Sequence, residues 1–173
     1  EHLMAALAGL GIDNLYVDDS VFDQSFVHPN WPVDQLHKRY VAQVGGVNLN
    51  ANCVDFYLRP NGSGQRVSFG TVPATSYISV ENKCTGGREN AVWLSRVLGG
   101  NSIVLKGETR RANSDPVSVT INDPSLYAAT VLSETLKKNG IEIRGKVGRD
   151  RSVRERLGKD GSLKIVCSHN TKL

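Results

Sequence analysis

The 173-residue chain has no apolar run near the roughly 20 residues that a bilayer-spanning helix needs. Its three cysteines, Cys53, Cys84 and Cys167, show no Cys-x-x-Cys spacing and no neighbouring His pair, which argues against a zinc site or a dithiol redox motif. One disulfide between two of the three is compatible with the sequence, which does not choose the pair. Lys and Arg are absent from residues 1–37, where Glu1, Asp13, Asp18, Asp19, Asp23 and Asp34 stand, so the net charge of +4 arises from a basic remainder. That remainder lacks interleaved aromatics: Arg144, Lys146, Arg149, Arg151, Arg154, Arg156 and Lys159 alternate with Gly, Asp and Glu, the pattern of a solvated face rather than of a nucleic-acid site. The amino terminus lacks the basic start and apolar centre of a signal peptide, and the chain, beginning without methionine, reads as an excerpt of a longer precursor.

What is present is organised in two similar units around a different middle. Leu3 to Leu10 has apolar residues at helical spacing and stops at Gly9-Leu10-Gly11, and Asn14–Val17 follows as a short strand. Asp123-Pro124 then opens a second helix with Leu126, Ala129, Val131, Leu132, Thr135 and Leu136 on its inner face; Asn139-Gly140 ends it and Ile141–Val147 is its strand. No helical period runs from 54 to 121. There Asn61-Gly62-Ser63-Gly64 is a turn joining strands Val54–Leu58 and Gln65–Val72, and Tyr77–Glu81, Val92–Leu98 and Ile103–Gly107 are further short strands. The expected fold class is α+β: a layered α/β subdomain of residues 1–58 and 116–173, with residues 59–115 as an inserted small all-β subdomain.

Single features read structurally. Asp18, Asp19 and Asp23 lack the Gly and closing Glu of a calcium loop and are expected to cap a strand end. Gly45-Gly46 and Gly86-Gly87 lack the strand-to-helix setting of a phosphate cradle, and His28, His37 and His169 show no mutual ligand spacing, so no metal or cofactor is expected. Cys53, in the apolar stretch Val47–Leu58, is expected to be a buried free thiol, and Trp31, between Pro29 and Pro32, to pin a loop.

The residues Asp18-Asp19-Ser20-Val21-Phe22-Asp23, Trp31-Pro32, Tyr40-Val41-Ala42 and Asn48-Leu49-Asn50-Ala51-Asn52-Cys53-Val54 form a pattern that continues at Asp123-Pro124-Ser125-Leu126-Tyr127-Ala128-Ala129 and Gly140-Ile141. It resembles the inserted region of class C low-molecular-mass penicillin-binding proteins, the serine-type D-alanyl-D-alanine carboxypeptidase/endopeptidases of bacterial peptidoglycan. The resemblance implies a hydrolase of the periplasm or extracytoplasmic envelope, a peptidoglycan stem peptide as partner, and an insertion that shapes the substrate cleft. The family's catalytic motifs are missing: there is no Ser-x-x-Lys and no Lys-Thr-Gly, and Ser168-His169-Asn170 matches Ser-x-Asn only as a short pattern with one free position. The resemblance also implies that a carboxylate and an aromatic after Trp31-Pro32 hold the free amine of the stem peptide's diaminopimelate. The candidates are Asp34, or Gln35 by an alignment one residue on, together with Tyr40. Their alternative roles are capping of a short helix Val33–Lys38 for Asp34 and core packing for Tyr40.

Two other readings stand beside it. One is a free-standing cell-envelope binding module; a homo-oligomer is compatible with either. The other is that Glu1–Asn14 is similar to the zinc helix of UDP-3-O-acyl-N-acetylglucosamine deacetylase, with His2 as ligand, although no second His and Asp follow at the required spacing.

Overall fold

In the computed structural model, residues 7–9, 11–161 and 164–165 are described. His2, most of the expected first helix, Cys167 and Ser168-His169-Asn170 lie outside these residues. The elements are β1 (Leu15–Val17), β2 (Cys53–Arg59), β3 (Ser68–Val72), β4 (Ser79–Asn82), β5 (Thr85–Gly86), β6 (Asn90–Arg96), β7 (Ser102–Thr109), β8 (Val117–Thr120), helix α1 (Pro124–Lys138), β9 (Val147–Arg149) and helix α2 (Val153–Lys159).

The turn at residues 61–64 makes the hairpin that its Asn and Gly residues announce. β2 and β3 run antiparallel from Asp55 opposite Val72 to Arg59 opposite Ser68, and β8 takes the other edge of β2, Cys53 opposite Thr120. A second sheet centres on β7, with β6 antiparallel on one side and β4 and β5 parallel on the other. Along β2, Val54, Phe56 and Leu58 share one face and meet Leu94, Ile103, Leu105 and Val119 in one core that Tyr127 and Val131 of α1 complete. Burying a side chain such as Phe56 contributes roughly 1.5–3 kcal/mol. The fold class is thus α+β with an all-β subdomain.

α1 starts where the sequence places it. Asp123, at φ 60°, accepts the Leu126 N–H at 3.1 Å, and Pro124 occupies the first helical position. Its buried face, however, contains Tyr127, Ala129, Val131 and Leu136, whereas Thr135 is exposed. Tyr127 turns inward because its hydroxyl finds the Cys53 carbonyl at 2.9 Å, and burial raises its pKa. Cys53 and Cys84 are buried free thiols, and burial pushes the Cys53 pKa up to about 11.

Four expectations are corrected. The strand Ile141–Val147 reduces to one bridge, Ile12 with Ile143, followed by β9 in parallel register with β1. The break comes from Asn14, whose side-chain oxygen takes the Lys146 N–H at 2.8 Å; a Cβ on Gly145 would lie 2.5 Å from the Asp13 carbonyl. Thr85-Gly86, outside every strand expected from the sequence, is β5; a Cβ on Gly86 would lie 2.1 Å from the Gly62 carbonyl, so only glycine lets the hairpin turn cross there. The helix Val33–Lys38 is instead a single 3-10 turn, Val33–Gln35, with a second, Arg39–Val41, just beyond it, since six residues after a proline give too little chain to propagate an α-helix. Finally, Arg149 and Arg151 do not belong to a solvated face, nor does Asp19 merely cap a strand. Asp19 is buried and accepts from Arg151 Nη1 at 3.2 Å and from Ser125 Oγ at 2.6 Å, while Arg149 bridges it to Asp123. Asp18, directly after β1, accepts the Ser20 N–H and does close the strand end, whereas Asp23 makes the same local bond to the Ser25 N–H away from any strand. No helix among the described residues is long and apolar enough to cross a membrane.

Candidate functional site

Residues 31–41 form an exposed bend built by local i to i+3 bonding. The Trp31 N–H donates to His28 O at 3.0 Å, Gln35 N–H to Pro32 O at 3.0 Å, Lys38 N–H to Gln35 O at 2.7 Å and Val41 N–H to Lys38 O at 3.0 Å. Two buried apolar side chains, Leu36 and Val41, anchor the bend, and Trp31 is half-buried. On either side of Leu36 the bend turns residues outward: Val33 is 66% exposed and Tyr40 71%, so Tyr40 takes no part in the core.

The structure brings two of the three sequence candidates together. The Tyr40 hydroxyl donates to Gln35 Oε1 at 2.6 Å, which closes the bend over Leu36. Asp34 lies on the same turn, exposed, and its side chain caps nothing: the N-cap position is Pro32, without a side-chain bond. Its carboxylate accepts no hydrogen bond and forms no ion pair among the described residues, though its field favours the charged form of the nearby His37. Burial outweighs that field and, with Lys38 and Arg96, lowers the His37 pKa. The bend therefore offers an unspent carboxylate next to an amide–phenol pair, a set that can pair with an alkylammonium and pack on its methylenes.

The bend is fixed from behind. Thr120 at the end of β8 donates its hydroxyl to Leu36 O at 2.5 Å and its N–H to His37 O at 3.2 Å, and Arg96 Nη2 reaches Leu36 O at 3.3 Å. Arg39 Nη1 extends to Ser118 Oγ at 3.3 Å and Asp55 Oδ1 at 3.5 Å. Sequence reasoning missed these partners, because Arg96 and Thr120 stand 60 and 84 residues from Leu36.

An asparagine network carries the end of the bend to α1. Asn52 Nδ2 donates to Gln43 O at 2.8 Å and to Asn48 Oδ1 at 2.5 Å, Gln43 Nε2 donates to Asn122 Oδ1 at 3.0 Å, and Gln43 Oε1 accepts the Asp123 N–H at 2.8 Å. Asn50, Ala51 and Asn52 are all left-handed, at φ 49°, 51° and 54°. That explains the alternating asparagines, the residue type after glycine that best tolerates this region. Ala51 is the misfit: exposed, with no compensating side chain. Ala51→Gly should raise the unfolding free energy by about 0.5–1 kcal/mol, read from urea denaturation, because glycine removes the left-handed strain at the cost of a more flexible unfolded chain. A drop in stability would show that Ala51 is not strained.

A fold of this kind is found among the penicillin-binding proteins. The structure of penicillin binding protein 4 from Haemophilus influenzae superposes with a TM-score of 0.59 at 23% identity, covering 80% of this chain and 32% of that one. The chain belongs to the D-Ala-D-Ala carboxypeptidase 3 (S13) family, whose pattern matches residues 2–158. A D-alanyl-D-alanine carboxypeptidase of Actinomadura sp. (strain R39) is 28% identical over 147 residues, covering 78% of this chain and 27% of that protein. The chain thus spans about a quarter to a third of the length of these relatives. The family match also runs through the stretch on which the deacetylase likeness rested, and no group of three or more His, Cys, Asp or Glu among the described residues could hold a metal ion.

Proposed function

We propose that this chain is the inserted, non-catalytic region of a serine-type D-Ala-D-Ala carboxypeptidase/endopeptidase that acts on peptidoglycan outside the cytoplasm, and that it presents the residue 31–41 bend to the stem peptide. The single observation that carries the reading is the exposed Asp34 carboxylate beside the Gln35–Tyr40 pair, held on a rigid sheet in a chain of this family. The absence of Ser-x-x-Lys and Lys-Thr-Gly supports the non-catalytic part, since acylation needs a serine with its lysine proton relay. The proposed division into residues 1–58 with 116–173 and an inserted 59–115 follows the change along the sequence from helix–strand patterns to short-strand patterns.

In this scheme a serine outside this stretch attacks the penultimate D-Ala carbonyl, the terminal D-Ala leaves, and water hydrolyses the acyl-enzyme. Asp34 holds the side-chain ammonium of the stem peptide, with Gln35 and Tyr40 shaping the rim, and so orients the scissile bond from a distance. The test of the non-catalytic part is direct. The isolated chain, incubated with labelled penicillin, should show no mass increase by intact mass spectrometry and release no D-Ala from a D-Ala-D-Ala peptide. A stoichiometric acyl adduct would overturn the reading.

A further inference from the structure

We propose that Arg96 is a positioning residue for the bend that carries Asp34, Gln35 and Tyr40, its guanidinium setting the orientation of that bend from within the β subdomain. The proposal rests on the reading of the bend as the part that meets the stem peptide.

An arginine withdrawn from water ordinarily meets a carboxylate. Arg96 does not: its Nη1 donates to Gly100 O at 2.8 Å and Val97 O at 3.3 Å, and its Nη2 to Leu36 O at 3.3 Å and Thr120 Oγ1 at 3.4 Å. Its Nε is buried without a partner among the described residues, and desolvation lowers its pKa. Every bond that it makes among the described residues is therefore to a neutral oxygen, and the fork divides between two places. One nitrogen holds the turn between β6 and β7; the other holds the Leu36 carbonyl, next to Gln35 and inside the loop that the Tyr40–Gln35 bond closes. A planar fork can hold both at a fixed separation, which a point charge cannot. Leu36 O accepts from Thr120 Oγ1 as well, so two donors from β6 and β8 converge on the one carbonyl whose direction sets the pitch of the bend. A displacement of about 1 Å at a substrate-positioning group can cost about a hundredfold in rate, so a device that fixes that carbonyl has kinetic consequences without touching substrate.

The experiment compares Arg96→Met, Arg96→Lys and Asp34→Asn. In the 173-residue chain, amide hydrogen exchange should rise at least about tenfold across residues 33–41 and at Thr120 in Arg96→Met while the interior of α1 is unchanged. In the full-length enzyme that carries this region, kcat/KM is measured for a D-Ala-D-Ala peptide with its side-chain amine free and for the same peptide acetylated there. Arg96→Met should lower the preference for the free amine about five- to tenfold, chiefly through KM, and Arg96→Lys should fall between it and the parent. A fold strut with no positioning role would lower both substrates alike, so an unchanged preference overturns the proposal even where exchange is faster. Unchanged exchange at residues 33–41 overturns it too. A preference moved by Asp34→Asn but not by Arg96→Met removes the positioning role and leaves the reading of the bend intact; a preference moved by neither removes both the positioning role and the contact of Asp34 with the amine. Should Arg96→Met not fold, Arg96→Lys, which keeps the charge, carries the same comparison.

Discussion

Asp19→Asn should lower the unfolding free energy of this chain by about 2–4 kcal/mol, among the largest losses available to a single polar substitution here. Asp19 is 1% exposed and accepts from Arg151 Nη1 and Ser125 Oγ while lying 3.6 Å from Arg149 Nη1. It joins three pieces of chain: the loop after β1, the first turn of α1 and the segment leaving β9. Asparagine keeps the shape but removes the counter-charge of two guanidinium groups and one acceptor of the Ser125 hydroxyl. The effect stays below the top of the range for broken buried pairs because the Arg149 and Arg151 side chains are 26% and 27% exposed and can recover some hydration, and Arg149 keeps Asp123 at 3.1 Å. Urea unfolding at neutral pH measures it, with Asp13→Asn as control. The Asp13–Arg144 pair is 3.8 Å apart with side chains 81% and 68% exposed, so its loss should cost no more than about 1 kcal/mol. Similar losses in the two variants would show that the Asp19 cluster is as well solvated as the surface pair.

The same cluster shows what the sequence does and does not disclose. The local signals were legible: Asp123-Pro124 as a helix start, Asn139-Gly140 as its end, the 61–64 turn, and the strand Val54–Leu58, because each depends on neighbours within a few residues. Pairings across the chain were not. Arg151 reads as one of a run of surface charges until the fold puts it 3.2 Å from Asp19, 132 residues away. Asn14 interrupts a strand that periodicity alone would continue, since its side chain replaces a backbone partner. Of the candidate site, Asp34, Gln35 and Tyr40 were named only through the family resemblance, and the Gln35–Tyr40 bond became visible only once the chain after Pro32 proved to form 3-10 turns. The supports were invisible for a different reason: Arg96 and Thr120 act on the Leu36 backbone carbonyl, a group every residue has, so no pattern of side chains marks it.

Asp34→Asn, introduced into the full-length enzyme proposed to carry this region, should reduce kcat/KM for a stem peptide with a free side-chain amine about ten- to hundredfold. A charge-assisted contact of this type is worth ~1.5–3 kcal/mol. On the open turn described here an exposed ion pair would contribute far less, so the full loss requires the bend to be covered by the rest of the enzyme and its substrate when they meet. The same peptide acetylated on that amine should lose little, since it offers no ammonium for Asp34 to hold. Salt separates the two settings: a covered pair should keep most of its effect between 0.05 and about 0.5 M ionic strength, on the order of a Debye length falling from 14 to 4 Å, whereas an exposed one should fade. Equal losses on free and acetylated peptides would mean that Asp34 supports the bend rather than reads the substrate. No loss on either would move the role to Gln35, whose Oε1 already accepts the Tyr40 hydroxyl and keeps a second lone pair for an ammonium. Gln35→Leu then decides, because it removes that acceptor and the Tyr40 bond together: a selective loss on the free amine assigns the contact to Gln35, and the absence of one removes the bend from substrate binding.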